Sequence, residues 1–256
     1  MIKERKQKMH IASIEILPQS KNYCHVIYNE TNAILFDPGE ANPILQWLQR
    51  QSLQLTHIFI THHHWDHTDG INAVTDATGA KVITSTTSQI NADYKLDHLS
   101  VYTVPWLKHP ITAIHIPGHT LDHCGYLIDD IFFSGDTLFS LGCGRVFEGT
   151  YPMMLESLQR IAKLPEDTKI YFAHEYTRNN AKFALYIEPD NEQLRAHLDT
   201  LPKITVPTTL AFEKQFNPFL RTQDPDLHKQ LSQLTGQTIH SEISCFTTLR
   251  QLKDNY

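Results

Sequence analysis

Cysteine is scarce in this 256-residue chain, and the four present, Cys24, Cys124, Cys143 and Cys245, form no CxxC pair. They are too few for a disulfide scaffold, and they fit the reducing cytosol as the expected location. No window approaches the ~18 uncharged apolar residues that would span a bilayer. The leader MIKERKQK is basic, but the MHIASIEILPQS that follows has neither the apolar run nor the small-residue cleavage site of a signal peptide. Met9 offers an internal start that would leave the leader as a loose tail. Positive charge is in the minority, with 22 Lys and Arg against 28 Asp and Glu for a net −6. That balance argues against a nucleic-acid partner while leaving room for a local basic pocket. No internal repeat or low-complexity segment occurs. Hydrophobic residues at 41 % and charged ones at 20 % describe an ordinary soluble globular chain, long enough for one large domain or a larger and a smaller one.

Short apolar runs dominate up to about residue 173: HIASIEIL, CHVIYN, NAILFD, THIFIT, KVITS, ITAIHIP, GYLID, IFFSG and KIYFAH. Their density predicts two sheets or one large one, covered by helices such as NPILQWLQRQ, with Ile44, Leu45 and Leu48 on one face, and PMMLESLQRIAKL, with Met154, Leu155, Leu158 and Ile161. Beyond residue 174 the pattern changes to NNAKFALYIEP, NEQLRAHLDTL, DPDLHKQLSQL and FTTLRQLKDNY, helices without regular strands. The change predicts an α/β domain over 1–174 and a helical domain over 175–256.

Histidine is the abundant residue, at 16, and four of them crowd the stretch FITHHHWDHTDG. This loop starts where the strand THIFI ends, a place where a rigid scaffold holds reactive groups. In extended chain, residues two apart point the same way, so His62 and His64 can share a metal ion while His63 faces elsewhere. After Trp65 the chain must turn, and Asp66 and His67 can then serve a second site. The HxHxDH spacing differs from HExxH, whose ligands sit one helical turn apart. One loop cannot close two coordination spheres. His119 after a Pro-Gly turn, Asp136 in SGDTLF and His174 in YFAHEYT each follow a strand, as expected if several loops converge, and Asp136 could bridge two cations.

The other histidines call for no metal. His10, His25, His98, His109, His115, His197, His228 and His240 read as surface or satisfied core residues, and His57 as a structural strand residue. His63 and His123 lie near enough to brace ligands. Cys143, between two glycines, has no evident base to activate it. Asp37, in AILFDPGE, is either a turn-stabilising aspartate or a brace for the metal loop.

THHHWDH, PGHTLDH, SGDTLF, GCGRVFEGT and AHEYTRNNAKFAL, in this order, resemble the metallo-β-lactamase superfamily and, within it, the glyoxalase II (hydroxyacylglutathione hydrolase) family. The likeness runs from NYCHVIYNE to the terminal LRQLKDNY. It implies a four-layer αβ/βα sandwich followed by a small helical domain, and a binuclear centre, zinc most commonly, with iron or manganese as alternatives. By resemblance His62, His64 and His119 would hold one ion, Asp66, His67 and His174 the other, with Asp136 bridging and Asp136 and Asp66 serving catalysis. It also implies glutathione contacts from Arg145, Val146 and Phe147, from His174, Glu175 and Tyr176, and from Arg250 and Lys253. Read without the resemblance, Arg250 and Lys253 would be a solvated helix face. The activity implied is hydrolysis of S-(2-hydroxyacyl)glutathione thioesters, S-D-lactoylglutathione above all, by a metal-bridged hydroxide, in a monomer with no membrane partner. The motifs depart from the family pattern at Asp69, at Asp122 where Gly is usual, and at Phe147 where Tyr can occur. Other enzymes of the scaffold, an iron persulfide dioxygenase and a lactamase or lactonase, stand as rivals, as does a metal-binding protein without catalysis.

Overall fold

The computed structural model describes residues 9–256, so the basic leader MIKERKQK lies outside the described residues. The first sheet comprises β1 (His10–Ile16), β2 (Asn22–Tyr28), β3 (Asn32–Phe36), β4 (Gln54–Phe59), β5 (Lys81–Ser85) and β6 (Tyr94–Leu96), paired in that order. The second comprises β7 (Val101–Tyr102), β8 (Ile111–His115), β9 (Cys124–Ile128), β10 (Ile131–Gly135), β13 (Lys169–Phe172) and β14 (Thr208–Thr209), in the order β14-β13-β10-β9-β8-β7. Between β10 and β13 the chain makes a small hairpin of β11 (Leu138–Phe139) and β12 (Gly142–Cys143).

The period-2 alternation of the strands separates three apolar layers. Ile34 and Phe36 of β3 and Phe133 of β10 face one another between the sheets, where the rings of Phe36 and Phe133 stack at 3.7 Å. Ala33 and Leu35 point the other way, against α1 (Ala41–Gln51) and α3 (Ile71–Thr78), the latter following the single turn α2 (Trp65–Thr68). Phe132 and Ile170 face outward from the second sheet onto α4 (Tyr151–Ala162). Helices on the outer face of each sheet make the four-layer sandwich expected. Each fully buried Phe or Ile stabilises this arrangement by roughly 1.5–3 kcal/mol.

Helices α5 (Thr177–Ile187), α6 (Glu192–Thr200), α7 (Leu210–Phe216), α8 (Pro225–Thr235) and α9 (Glu242–Asp254) complete the chain. All but α6 share an apolar cluster with α4 and the second sheet, through Phe183, Leu210, Leu227, Phe246 and Leu249, while Leu194 of α6 packs in a smaller cluster with Ala181 and Ala184 of α5. The expectation that no strand follows residue 174 needs correction, because Thr208 and Thr209 pair with Ile170 and Lys169 at the sheet edge. A two-residue strand is too short to show alternation, and the same holds for β7, β11 and β12.

Candidate metal centre

Strand ends deliver the chemistry. Residues 60–64 leave the end of β4, Asp37 the end of β3, Asp136 the end of β10 and His174 the end of β13, while His119 sits on the turn after β8. They place ligand atoms in three groups, each within 4.8 Å: His62, His64 and His119; His62, His67 and Asp136; and Asp66, His67 and His174. All seven ligand positions expected from the loop and the three remote motifs thus converge, and Asp136 lies between the other two sets. One of its carboxylate oxygens is 3.4 Å from His67 Nε2, and the other is 3.5 Å from His119 Nε2 and 3.2 Å from His174 Nε2.

Hydrogen bonds on the far side of each ring aim the ligand nitrogens. His119 Nδ1 donates to the Arg145 carbonyl at 2.8 Å and His174 Nδ1 to the Ser20 carbonyl at 3.0 Å. His67 Nδ1 donates to Asp37 Oδ2 at 3.0 Å. His62 Nδ1 lies 3.0 Å from Thr61 Oγ1, whose own proton goes to Asp37 Oδ2 at 2.7 Å. With Nδ1 engaged, each Nε2 faces inward as the nitrogen available to a metal. His64 Nδ1 sits 3.1 Å from His62 Nε2 and 3.0 Å from His119 Nε2. Three nitrogens thus converge at the spacing expected of ligands to one cation. A tetrahedral zinc with Zn–N bonds of 2.0–2.1 Å would separate its ligands by roughly 3.3 Å, so the donor set fits a divalent metal.

The charges agree. His67 Nε2 and Asp136 Oδ1 are buried without a hydrogen-bond partner. Burial, reinforced by the neighbouring imidazoles, holds His62 well below the ordinary histidine range, keeping it neutral and able to ligate. Burial also opposes a charge on His67, but Asp136, Asp37 and Asp66 outweigh it and lift the ring to about 9. The same three carboxylates would favour a cation bound beside this ring. Burial would raise the Asp136 carboxyl, yet His174 and His67 hold it well below the carboxylate range.

Sequence reasoning missed Asn22, whose Nδ2 donates to Asp66 Oδ2 at 3.0 Å and to the Asp66 carbonyl at 3.2 Å. It sits at the start of an ordinary strand, and nothing in its local pattern marks it. Asp37 is a brace: buried at φ +56°, a left-handed conformation that Asp tolerates, it also accepts from the Thr61 backbone N–H at 2.7 Å. His123 accepts from the Asp136 backbone N–H at 3.0 Å, so it supports the centre from behind. Asp69 is exposed at the end of α2. The Cys143 thiol is buried and pushed up to about 11, which removes the thiolate a nucleophile needs.

A cavity of about 670 Å³ opens over the metal groups, lined also by Trp65, Phe139, Arg145, Phe147, Tyr176 and Lys253. Gly144 lets its floor close, since a methyl there would fall 1.9 Å from the Asp136 carbonyl oxygen. Arg250 reaches the cavity but is only 3 % exposed, so the solvated-face reading of this helix fails for it. Its guanidinium donates to the Cys143 carbonyl at 2.8 Å and pairs with Asp254 at 3.0 Å. Two expected contacts lie elsewhere. Val146 packs against the apolar cluster under α4, and the Glu175 carboxylate turns away to accept from Tyr23 Oη at 2.9 Å and Thr205 Oγ1 at 2.7 Å. Both side chains follow the apolar or hydrogen-bonding surroundings of their own segment, which a linear motif does not show.

Comparison with known proteins agrees with this geometry. A family model described as the metallo-beta-lactamase superfamily matches residues 18–90 and 84–174, and one described as the hydroxyacylglutathione hydrolase C-terminus matches 175–256. The hydroxyacylglutathione hydrolase of Psychromonas ingrahamii is 40 % identical over 247 residues, covering 92 % of this chain and 95 % of that protein. That of Shewanella sp. (strain ANA-3) is 41 % identical over 253 residues, covering 91 % and 95 %. Among solved structures, ETHE1 from Myxococcus xanthus superposes with a TM-score of 0.69 at 25 % identity, covering 95 % of this chain and 91 % of its own. On both the full-length relatives and the paired family matches, the chain belongs to the hydroxyacylglutathione hydrolase (glyoxalase II) family of the metallo-β-lactamase superfamily.

Proposed function

We propose that this protein hydrolyses S-(2-hydroxyacyl)glutathione thioesters, S-D-lactoylglutathione foremost, to the 2-hydroxy acid and glutathione. The reading rests on one observation: the convergent metal groups and the cationic side chains Arg145 and Lys253 line the same cavity. Two divalent ions, zinc by the character of the donors, would be held by His62, His64 and His119 and by Asp66, His67 and His174, with Asp136 between them. When bound, such ions lower the pKa of water and polarise a carbonyl.

The chain's own groups do the rest. Asp37, Thr61 and Asn22 hold the ligand rings and Asp66 in place. Arg145 and Lys253 offer charge to the carboxylates of glutathione, and Tyr176, stacked on His174 at 4.8 Å, offers a hydroxyl beside the centre. Trp65 and Phe147, both more than half exposed, form an apolar rim that a bound substrate would cover. No general acid is needed, because a thiol of pKa ~8.5 leaves readily as thiolate. In this reading residues 1–174 carry the metal chemistry, residues 175–256 complete the glutathione site, and the protein works as a cytosolic monomer. Among the described residues no helix is long and apolar enough to cross a membrane.

The test is turnover of S-D-lactoylglutathione by zinc-loaded protein, followed by release of free thiol. Absence of hydrolysis at full metal content, or oxygen consumption with a glutathione persulfide in its stead, would overturn the proposal.

A further inference from the structure

One wall of the cavity, residues 145–149, is held by a side-chain clamp outside the metal groups. His63 turns away from His62 and His64 and lines a different cleft, together with Leu121, Asp122 and Glu148. Its Nδ1 lies 2.9 Å from Asp122 Oδ1 and its Nε2 3.2 Å from Glu148 Oε1. The second oxygen of Glu148 accepts from the Leu121 backbone N–H at 2.8 Å, and Asp122 Oδ1 also accepts from Thr120 Oγ1 at 2.7 Å. One imidazole and two carboxylates thus join the loop of His62 and His64, the turn of His119, and the wall.

Between its two ends the wall is held more loosely. Phe147 N and Glu148 N reach the His119 carbonyl only at 3.3 and 3.4 Å, long for backbone hydrogen bonds. Gly149 rests directly on the turn, where a methyl would come within 2.7 Å of Gly118 Cα. The Gly149 N–H also donates to the Gly118 carbonyl at 3.1 Å, and the Arg145 carbonyl accepts from His119 Nδ1 at 2.8 Å, so backbone ties anchor both ends of the wall and Glu148 holds its middle. Above it, the Phe147 ring stands 5.2 Å from the His119 ring and 5.8 Å from that of His64. Arg145 projects into the cavity from the same wall.

We propose that Glu148, acting through His63 and Asp122, is a positioning residue that sets the Arg145–Phe147 wall for capture of the glutathione portion of the substrate. The inference rests on the hydrolase reading above and deepens it. It also assigns a use to Asp122, the acid standing where the family pattern has glycine: its carboxylate faces His63 rather than the metal groups. A clamp on the wall acts on substrate binding, whereas a brace of the metal loop would act on metal retention, and the two are separable by measurement.

The experiment compares wild type with Glu148→Ala, Glu148→Asp and Glu148→Gln. It reads KM and kcat for S-D-lactoylglutathione, calorimetric binding of the non-hydrolysable thioether S-methylglutathione, and metal content after purification. Alanine should raise KM and weaken thioether binding about fivefold, the size of one net hydrogen bond, with kcat and metal content within about twofold of wild type. Aspartate, one methylene too short to span His63 and Leu121, should behave like alanine and serves if the alanine variant does not fold. Glutamine keeps an oxygen for Leu121 N–H and an amide facing His63, and should restore most of the binding. Unchanged KM and binding in the alanine or aspartate variant, or loss of metal with unchanged KM, overturns the clamp. Wild type inert toward both thioester and thioether sinks the hydrolase reading together with it, so the two failures are distinct.

Discussion

Asp37 Oδ2 and His67 Nδ1 meet at 3.0 Å, and the same oxygen accepts the Thr61 hydroxyl that positions His62. One buried carboxylate thereby orients a ring in each of two metal groups. Replacing Asp37 by Asn leaves an oxygen for the Thr61 N–H but places an amide donor opposite His67, which must then carry its proton on Nε2, toward the metal. Asp37→Asn is expected to fold yet bind zinc about 10- to 100-fold more weakly, measured by competition with a chelator. Wild-type affinity in the variant would remove the bracing role.

Asp136 lies within 3.5 Å of candidate ligands of both sets, so its loss should damage the centre more than loss of any single histidine. Asp136→Ala is expected to lower kcat by at least about a hundredfold, the low end for removal of a catalytic group. Parallel zinc analysis should show fewer ions per chain.

Stripping metal leaves crowded imidazoles and buried carboxylates without the cation that would join them. Chelated protein should melt at a lower temperature than the loaded form, and zinc restored to 100 times its Kd should return about 2.7 kcal/mol. A melting temperature indifferent to zinc would mean that the histidine cluster holds none.

Lys253 is pulled down to about 8 by burial first, then by the nearby guanidinium groups of Arg250 and Arg145. The folded value lies below the ordinary 10.5, so between those limits the unfolded chain holds a proton that the folded chain lacks, and stability should rise with pH across that window. Substrate capture should move in the opposite sense. As pH passes about 8 the amine loses the charge that attracts a carboxylate, and kcat/KM for the glutathione thioester should fall. Lys253→Met should abolish that inflection.

Arg250 is anchored in the fold, which its motif position alone would not suggest. Its guanidinium satisfies the Cys143 carbonyl and sits 5.2 Å above the Phe219 ring, so Arg250→Ala should destabilise the fold by about 1–3 kcal/mol in addition to raising KM. Lys253, partly buried at the cavity edge, makes fewer such contacts, and Lys253→Ala should raise KM with a smaller stability loss. Denaturant melts of the two variants separate these effects.

Long strands and amphipathic helices were legible because their signals are local. NAILF alternates between two apolar layers, and HxHxDH puts His62 and His64 on one side of an extended segment while His63 faces another cleft. The short strands β7, β11, β12 and β14 carry too few residues to alternate, and helix α7 hides in a Thr- and Pro-rich stretch. Asn22, although it grips Asp66, had no signal because its neighbours are ordinary strand residues.

The sequence by itself determined the kind of chemistry: a loop dense in imidazole and carboxylate at a strand end, with further ligands at the ends of later strands, specifies a metal centre through residue type and local spacing. Which remote groups reach that centre, and which turn away as Glu175 does, was decided only by the tertiary structure. Arg250 meets the Cys143 carbonyl across 107 residues of chain. Such contacts and the burial they create arise when sheets and helices pack, and no stretch of neighbouring residues encodes them alone.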